Sequence, residues 1–230
     1  MPKAFAWSKW KILAKLDPEK TMENTKLHRL VKSPVLDAIV VGGTQGITYT
    51  NTSQLIKQIK EAGYRGPLLQ EVSSLESITP DADYYFIPLV LNAGKLEWMR
   101  DAHLRALKSF GHLIDWSRVA VEGYVVCNPD SAVARLTSAS VPKAEEVIAY
   151  LTYAENILNL PVFYLEYSGI FGDVELLKAV SQRRRKIHLV YGGGIREARQ
   201  VAQVLQYVDT VVIGNGLYEG NDILKDVFQC

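Results

Sequence analysis

Eight short β-rich apolar runs, separated by stretches with helical spacing, constrain this chain more than any other feature. The runs occupy residues 12–15, 38–41, 68–71, 84–87, 119–126, 162–166, 187–190 and 210–213. Several lack strict apolar/polar alternation, as expected for strands covered on both faces. Between them, apolar residues at helical spacing mark helices near 19–31, 52–62, 95–110, 143–158, 173–183, 197–206 and 218–228. Strand–helix alternation builds a parallel sheet, and eight such units close it into a (β/α)8 TIM barrel.

Seven helices serve the eight strands. Only residues 72–83, including Pro80, separate the third run from the fourth, too few for a covering helix and two loops. The third helix is therefore expected to be shortened or replaced by irregular chain. At 230 residues the chain falls a little below a typical barrel of about 250 residues, and no repeat or linker divides it. One domain over 1–230 is the economical reading.

Apolar residues make up 48% of the chain, which excludes disorder, and a net charge of +1 supplies no global field to recruit nucleic acid. The longest apolar stretch, 84–91, is far below the ~18 residues of a membrane span. Lys3, Lys9, Lys11 and Lys15 break up any signal-peptide core, so a cytoplasmic location is expected. Cys127 and Cys230 form neither a disulfide framework nor a CxxC pair, and read as a buried filler and a terminal thiol. No GxGxxG, Walker A or HExxH motif is present, which disfavours dehydrogenase, P-loop and zinc hydrolase chemistry.

Function in a barrel gathers at the C-terminal ends of the strands. There the sequence places Lys15-Leu16-Asp17-Pro18, Gly42-Gly43-Thr44, Glu166 with Ser168-Gly169, Gly192-Gly193-Gly194 and Gly214-Asn215-Gly216. Glycines let backbone N–H groups approach an anion, and the loops after strands seven and eight are the usual phosphate site. A bare turn needs glycine too; two glycine runs on adjacent strands favour phosphate. Asp17 and Thr44 supply hard oxygens suited to Mg²⁺, or else a helix cap and a turn residue. Glu166, inside an apolar and aromatic run, is a candidate general base or hydroxyl-positioning group, or else an ion-pair partner of Lys15 or Arg196. Tyr164 and Tyr167 flank it, either facing a developing cation or packing the core.

Residues 125–143 form the longest loop, over the mouth or as a plain surface excursion. The basic run Arg183 to Lys186 sits at the bottom of the barrel as a solvated helix end. Trp98, Ala102 and Ala106 share one helical face that lines an apolar groove or packs on the barrel.

Taken in order, Lys15-Leu16-Asp17-Pro18, Gly42-Gly43-Thr44, Phe86-Ile87-Pro88, Glu122-Gly123-Tyr124, Tyr164-Leu165-Glu166-Tyr167-Ser168-Gly169, Tyr191 to Ile195 and Gly214-Asn215 resemble the geranylgeranylglyceryl and heptaprenylglyceryl phosphate synthases, most closely the bacterial PcrB branch. The resemblance implies a Mg²⁺-dependent prenyltransferase on a barrel lacking its third helix. It would join sn-glycerol 1-phosphate to a polyprenyl diphosphate through an ether bond. It implies that Lys15, Tyr164, Leu165, Glu166, Tyr167, Ser168, Gly169, Gly194, Gly214 and Asn215 hold glycerol phosphate and that Asp17 and Thr44 hold the metal; with the substrate so placed, Glu166 is expected to accept the hydroxyl proton, with Tyr164 beside the developing cation. Thr44 stands where relatives carry Ser and keeps the hydroxyl. A homodimer, transient contact with the inner membrane surface, and a heptaprenyl rather than geranylgeranyl donor complete the expectation. Another phosphate-handling barrel enzyme, or a noncatalytic phosphometabolite-binding protein, would share the glycine loops.

Overall fold

The β-branched and aromatic runs become eight parallel strands: β1 Ile12–Leu16, β2 Ala38–Val41, β3 Leu68–Glu71, β4 Tyr84–Val90, β5 Val119–Val126, β6 Val162–Tyr167, β7 His188–Gly193 and β8 Thr210–Ile213. They come from a computed structural model describing residues 6–219 and 223–228. The strands pair in sequence order, and β8 pairs with β1 through Ile12 and Val211, closing the barrel. No sheet edge is left to template aggregation.

Among the described residues eight α-helices join or follow the strands: α1 Asn24–Leu30, α2 Tyr49–Glu61, α3 Asp101–Phe110, α4 Ala132–Thr137, α5 Ala144–Thr152, α6 Val174–Arg183, α7 Ala198–Val204 and α8 Ile223–Phe228. Strand alternation sorts side chains into two layers. Leu13, Val40, Leu69, Phe86, Ala120, Val162 and Val190 fill the barrel, while Ile39, Leu68, Phe163, Leu165 and Leu189 pack outward under the helices.

Between β3 and β4 a single 3-10 turn, Leu75–Ser77, stands in place of the third helix. Gln70 pins this segment by donating Nε2 to the Ser77 carbonyl at 2.6 Å and accepting the Thr79 amide at 3.1 Å. Those bonds satisfy groups that are fully buried, as buried polar groups require. With no helix over it, the outward face of β4, at Tyr85, Ile87 and Leu89, is only half-buried.

Several element boundaries differ from the sequence expectation. The helix expected over 95–110 is split into a 3-10 turn, Leu96–Trp98, and α3, which buries none of its own residues. Trp98 packs against the barrel interior, so it does not share a helical face with Ala102 and Ala106. The loop at 125–143 contains α4, capped by Ser131, whose side chain accepts the Ala134 amide at 3.1 Å. The helix expected over 143–158 ends in a π-helical turn, Tyr153–Ile157. There Glu155 turns inward and accepts the backbone amides of Arg185, Lys186 and Ile187.

The basic run is not merely solvated, since Arg184 forms a two-point pair with Asp209 at the bottom of the barrel. Cys127 is buried and burial pushes its thiol up to about 12, whereas Cys230 lies outside the described residues. Among the described residues no helix is long and apolar enough to cross a membrane.

Candidate functional site

Strand alternation aims Lys15, Glu71, Glu122, Tyr124, Tyr164 and Glu166 into the upper half of the barrel, above the apolar plug. Lys15 at the end of β1 pairs with Glu71 at the end of β3, Nζ to Oε1 2.6 Å. Burial opposes the charged lysine, but the carboxylates of Glu71, which also accepts its hydrogen bond, and Glu166 outweigh it and hold its pKa above the ordinary value. Glu166 forms no ion pair with Lys15, and Arg196 pairs instead with Glu219 at 3.1 Å.

Both oxygens of Glu166 are oriented by donors. Tyr124 donates its hydroxyl to Oε2 at 2.5 Å, and the Ser168 amide donates to Oε1 at 2.6 Å. The Tyr124 and Tyr164 rings stack beside it, centroids 4.6 Å apart. Burial, with the Glu166 carboxylate adding to it, pushes both phenols well above their ordinary range, so both stay neutral. Gly192 on β7 makes this possible, because a side chain there would collide with the Tyr164 hydroxyl.

Leu165 and Tyr167 point the other way. One step along the strand from Glu166, the Tyr167 ring lies in the outer layer, stacked on Tyr191 at 5.8 Å. It does not face the site, and the second ring beside Glu166 belongs to Tyr124. Only the backbone of Leu165 and Tyr167 borders the mouth.

The glycine loops divide by what their atoms already do. Gly194 donates its amide to Ile170 O at 2.7 Å, and a Cβ there would run into the Ile170–Phe171 backbone. Its glycine identity thus serves the packing of the loop after β7 on the loop after β6. Gly214 borders Lys15, where an added Cβ would lie 4.0 Å from the Lys15 Cβ. Asn215 accepts from Lys20 Nζ at 2.6 Å, tying the loop after β8 to the loop after β1. Ser168 is exposed, and Gly169 adopts φ +95°, a conformation that favours glycine. Asn128 holds this turn by donating to the Ser168 carbonyl at 2.6 Å.

Asp17 and Thr44 follow the C-terminal ends of the adjacent strands β1 and β2. The Asp17 carboxylate lies against Gly43, so close that an added Cβ would be 2.5 Å from Oδ1. Tyr218 accepts the Asp17 amide at 2.9 Å and fixes the turn. A carboxylate and a hydroxyl at the solvent edge suit Mg²⁺, which keeps several waters and takes phosphate oxygens. Among the described residues no three His, Cys, Asp or Glu side chains are grouped to hold a metal ion.

Sequence reasoning missed roles for Glu71, Glu122, Tyr124 and Lys20. Glu122 carried a signal, an acid inside the apolar run of β5; its side chain is fully buried and neither oxygen has a hydrogen-bond partner among the described residues. Glu71 and Lys20 carried none, because their partners Lys15 and Asn215 are distant in sequence. A hollow of 420 Å³ lined by Arg65, Gly66, Pro67, Asp83, Tyr84 and Arg118 lies at the opposite, N-terminal end of the strands. There Arg118 is already committed to the carbonyls of Ala82 and Asp83.

Barrel and site define a TIM-barrel protein whose polar side chains converge at the C-terminal ends of β1, β3, β5 and β6. More specifically, the chain belongs to the PcrB family, whose sequence model matches residues 5–230. It is 46% identical over 213 residues to the heptaprenylglyceryl phosphate synthase of Bacillus mycoides, an alignment covering 92% of each chain. In fold it matches the (S)-3-O-geranylgeranylglyceryl phosphate synthase of Thermoplasma acidophilum, solved with its substrate sn-glycerol-1-phosphate. The TM-score is 0.80 at 21% identity, covering 94% of this chain and 90% of that one. The geranylgeranylglyceryl phosphate synthase of Thermoplasma volcanium superposes with a TM-score of 0.81 at 22% identity, covering 97% and 93%.

Proposed function

We propose that this protein transfers a polyprenyl group, heptaprenyl in preference to geranylgeranyl, from its diphosphate to the C3 hydroxyl of sn-glycerol 1-phosphate. The near full-length likeness to heptaprenylglyceryl phosphate synthases supports the reaction class. The observation that carries the chemistry is Glu166, buried yet oriented at both oxygens beside two neutral phenols.

In this reading the phosphate sits against Ser168, Gly169, Gly214 and Asn215 with Lys15 beneath. Gly194 supports that cradle rather than donating to it. Positioned so, the C3 hydroxyl lies near Glu166. The allylic C–O bond to diphosphate breaks, and the diphosphate leaves with the electron pair. The hydroxyl oxygen forms the ether bond to the allylic carbon, and Glu166 takes its proton. The stacked Tyr124 and Tyr164 rings shield the developing cation from water and stabilise it with their π faces. Asp17 and Thr44 would hold Mg²⁺, which when bound would supply charge neutralisation for the departing diphosphate. The prenyl tail runs along the uncovered outer face of β4, past Ala102 and Ala106 of α3. Assembly as a homodimer in the cytoplasm belongs to the same proposal.

Incubating the protein with radiolabelled glycerol 1-phosphate, Mg²⁺ and prenyl diphosphates of several lengths, then extracting lipid, tests the proposal. Label should enter the organic phase, most with the heptaprenyl donor. No extractable label with any donor, or turnover indifferent to chelation of Mg²⁺, would overturn it.

A further inference from the structure

We propose that α3 and its flanking turns form a docking face for an anionic lipid bilayer, holding the open wall of the barrel against the membrane. The inference rests on the reading that the donor is a lipid diphosphate, and extends it to how that donor is reached.

Six exposed large apolar side chains fall within one short stretch of chain: Leu96, Leu104, Leu107, Phe110, Leu113 and Trp116. Leu104 is 56% exposed, Leu113 70% and Trp116 50%. Surface apolar residues are ordinarily scattered singly, and a concentration of them marks an interaction site. A barrel helix also normally buries an apolar stripe on the strands, yet α3 buries none of its ten residues. Its apolar side chains are left for something outside the chain.

Charge selects the occupant. In this segment Arg100 pairs with Asp101 and Arg105 with Glu97, which neutralises two of its three acids and leaves exposed Asp115. Lys95 and Lys108 are exposed and have no carboxylate within ion-pair distance among the described residues, so cations outnumber acids four to three across residues 95–116. Cations bordering exposed Leu, Phe and Trp are the pattern of a helix lying in the interface of an anionic bilayer. A second copy of this chain docked face to face would bring the same uncompensated lysines together. An anionic lipid surface compensates them.

Position gives the face a purpose. The segment follows β4 directly, the strand whose outer residues Tyr85, Ile87 and Leu89 are only half-buried. A bilayer on α3 therefore adjoins the gap in the barrel wall. A tail moving from lipid into that gap passes sideways and need not cross bulk water.

The test uses the full chain and sucrose-loaded vesicles of phosphatidylcholine with or without phosphatidylglycerol, sedimented in the absence of any prenyl donor. Binding is expected to the phosphatidylglycerol vesicles, reduced by salt. The double change Phe110→Ser with Leu113→Ser should weaken partitioning by about tenfold or more, and Lys108→Glu by about fivefold. Turnover of detergent-dispersed donor should be unchanged in these variants, which separates docking from the reaction itself. Equal affinity for neutral and anionic vesicles would overturn the proposal, as would variants that bind like the parent chain. So would sedimentation velocity showing that the apolar substitutions split an oligomer, which would make the face a contact between copies. Loss of docking with turnover intact would leave the enzymatic reading standing; intact docking without turnover would remove that reading and keep the surface.

Discussion

Glu122 brings into the middle of the barrel a carboxyl that accepts no hydrogen bond from any described residue. Burial, and then repulsion from Glu71, raises its pKa well above the carboxylate range, so it stays protonated in the fold. The unfolded chain releases that proton near the usual pKa and the folded chain does not. Stability contributed by the neutral group is complete at low pH and declines as pH rises toward the folded pKa, by roughly 1.4 kcal/mol per pH unit. Glu122→Gln, which mimics the neutral acid, should melt with the parent protein at about pH 4 and above it near pH 8; parallel melting curves across that range would show an ionised Glu122. At Glu166 the expectation concerns turnover. Glu166→Gln keeps the shape but accepts no proton, so turnover at saturating substrate should fall by about a hundredfold or more. Near-normal turnover would reassign it to positioning. Asp17→Asn should move the Mg²⁺ requirement for turnover to higher concentration, and an unchanged titration would take Asp17 out of the metal site.

Among the elements, all eight strands were legible in the sequence, because covered parallel strands need continuous β-branched and aromatic runs that nothing else in a soluble chain requires. So was the gap after β3, since 72–83 cannot hold a helix. The short α4 was not, because six residues carry less than two turns of periodicity. Neither was the break at Met99 and Arg100, which frees Trp98 to pack on the barrel interior. Of the candidate site, Lys15, Asp17, Thr44 and Glu166 were legible as polar residues at or just past strand ends. Tyr124 and Glu71 did not, since what makes them important is a partner on another strand. Tyr167 misled because its neighbours in sequence are not its neighbours in space. On α3, Ala106 is the small residue past which the proposed tail path runs. Ala106→Trp should lower use of the heptaprenyl donor while sparing the geranylgeranyl donor, read as the ratio of labelled lipids; equal loss of both would place the tail elsewhere.

For the molecule as a whole, the loops that meet at the mouth come from opposite ends of the chain: Lys20 joins Asn215, and Tyr218 caps the turn at Asp17. A ligand bridging these loops should therefore stabilise the entire barrel. At about a hundred times its dissociation constant, glycerol 1-phosphate would add roughly 2.7 kcal/mol. For a chain of this size that corresponds to a rise in Tm of about 5–10 °C. The mirror-image glycerol phosphate at equal concentration should raise it less, and equal shifts would mean that only the phosphate is read. The 3-10 turn that replaces the third helix carries a different consequence. A sealed pocket works as a gauge with a stop at its end, rejecting anything too long. A slot open along its side has no stop, so a tail that outgrows it simply protrudes, and its last isoprene units go unmeasured. Such a protein sets the shortest acceptable tail by how much of the slot must be filled.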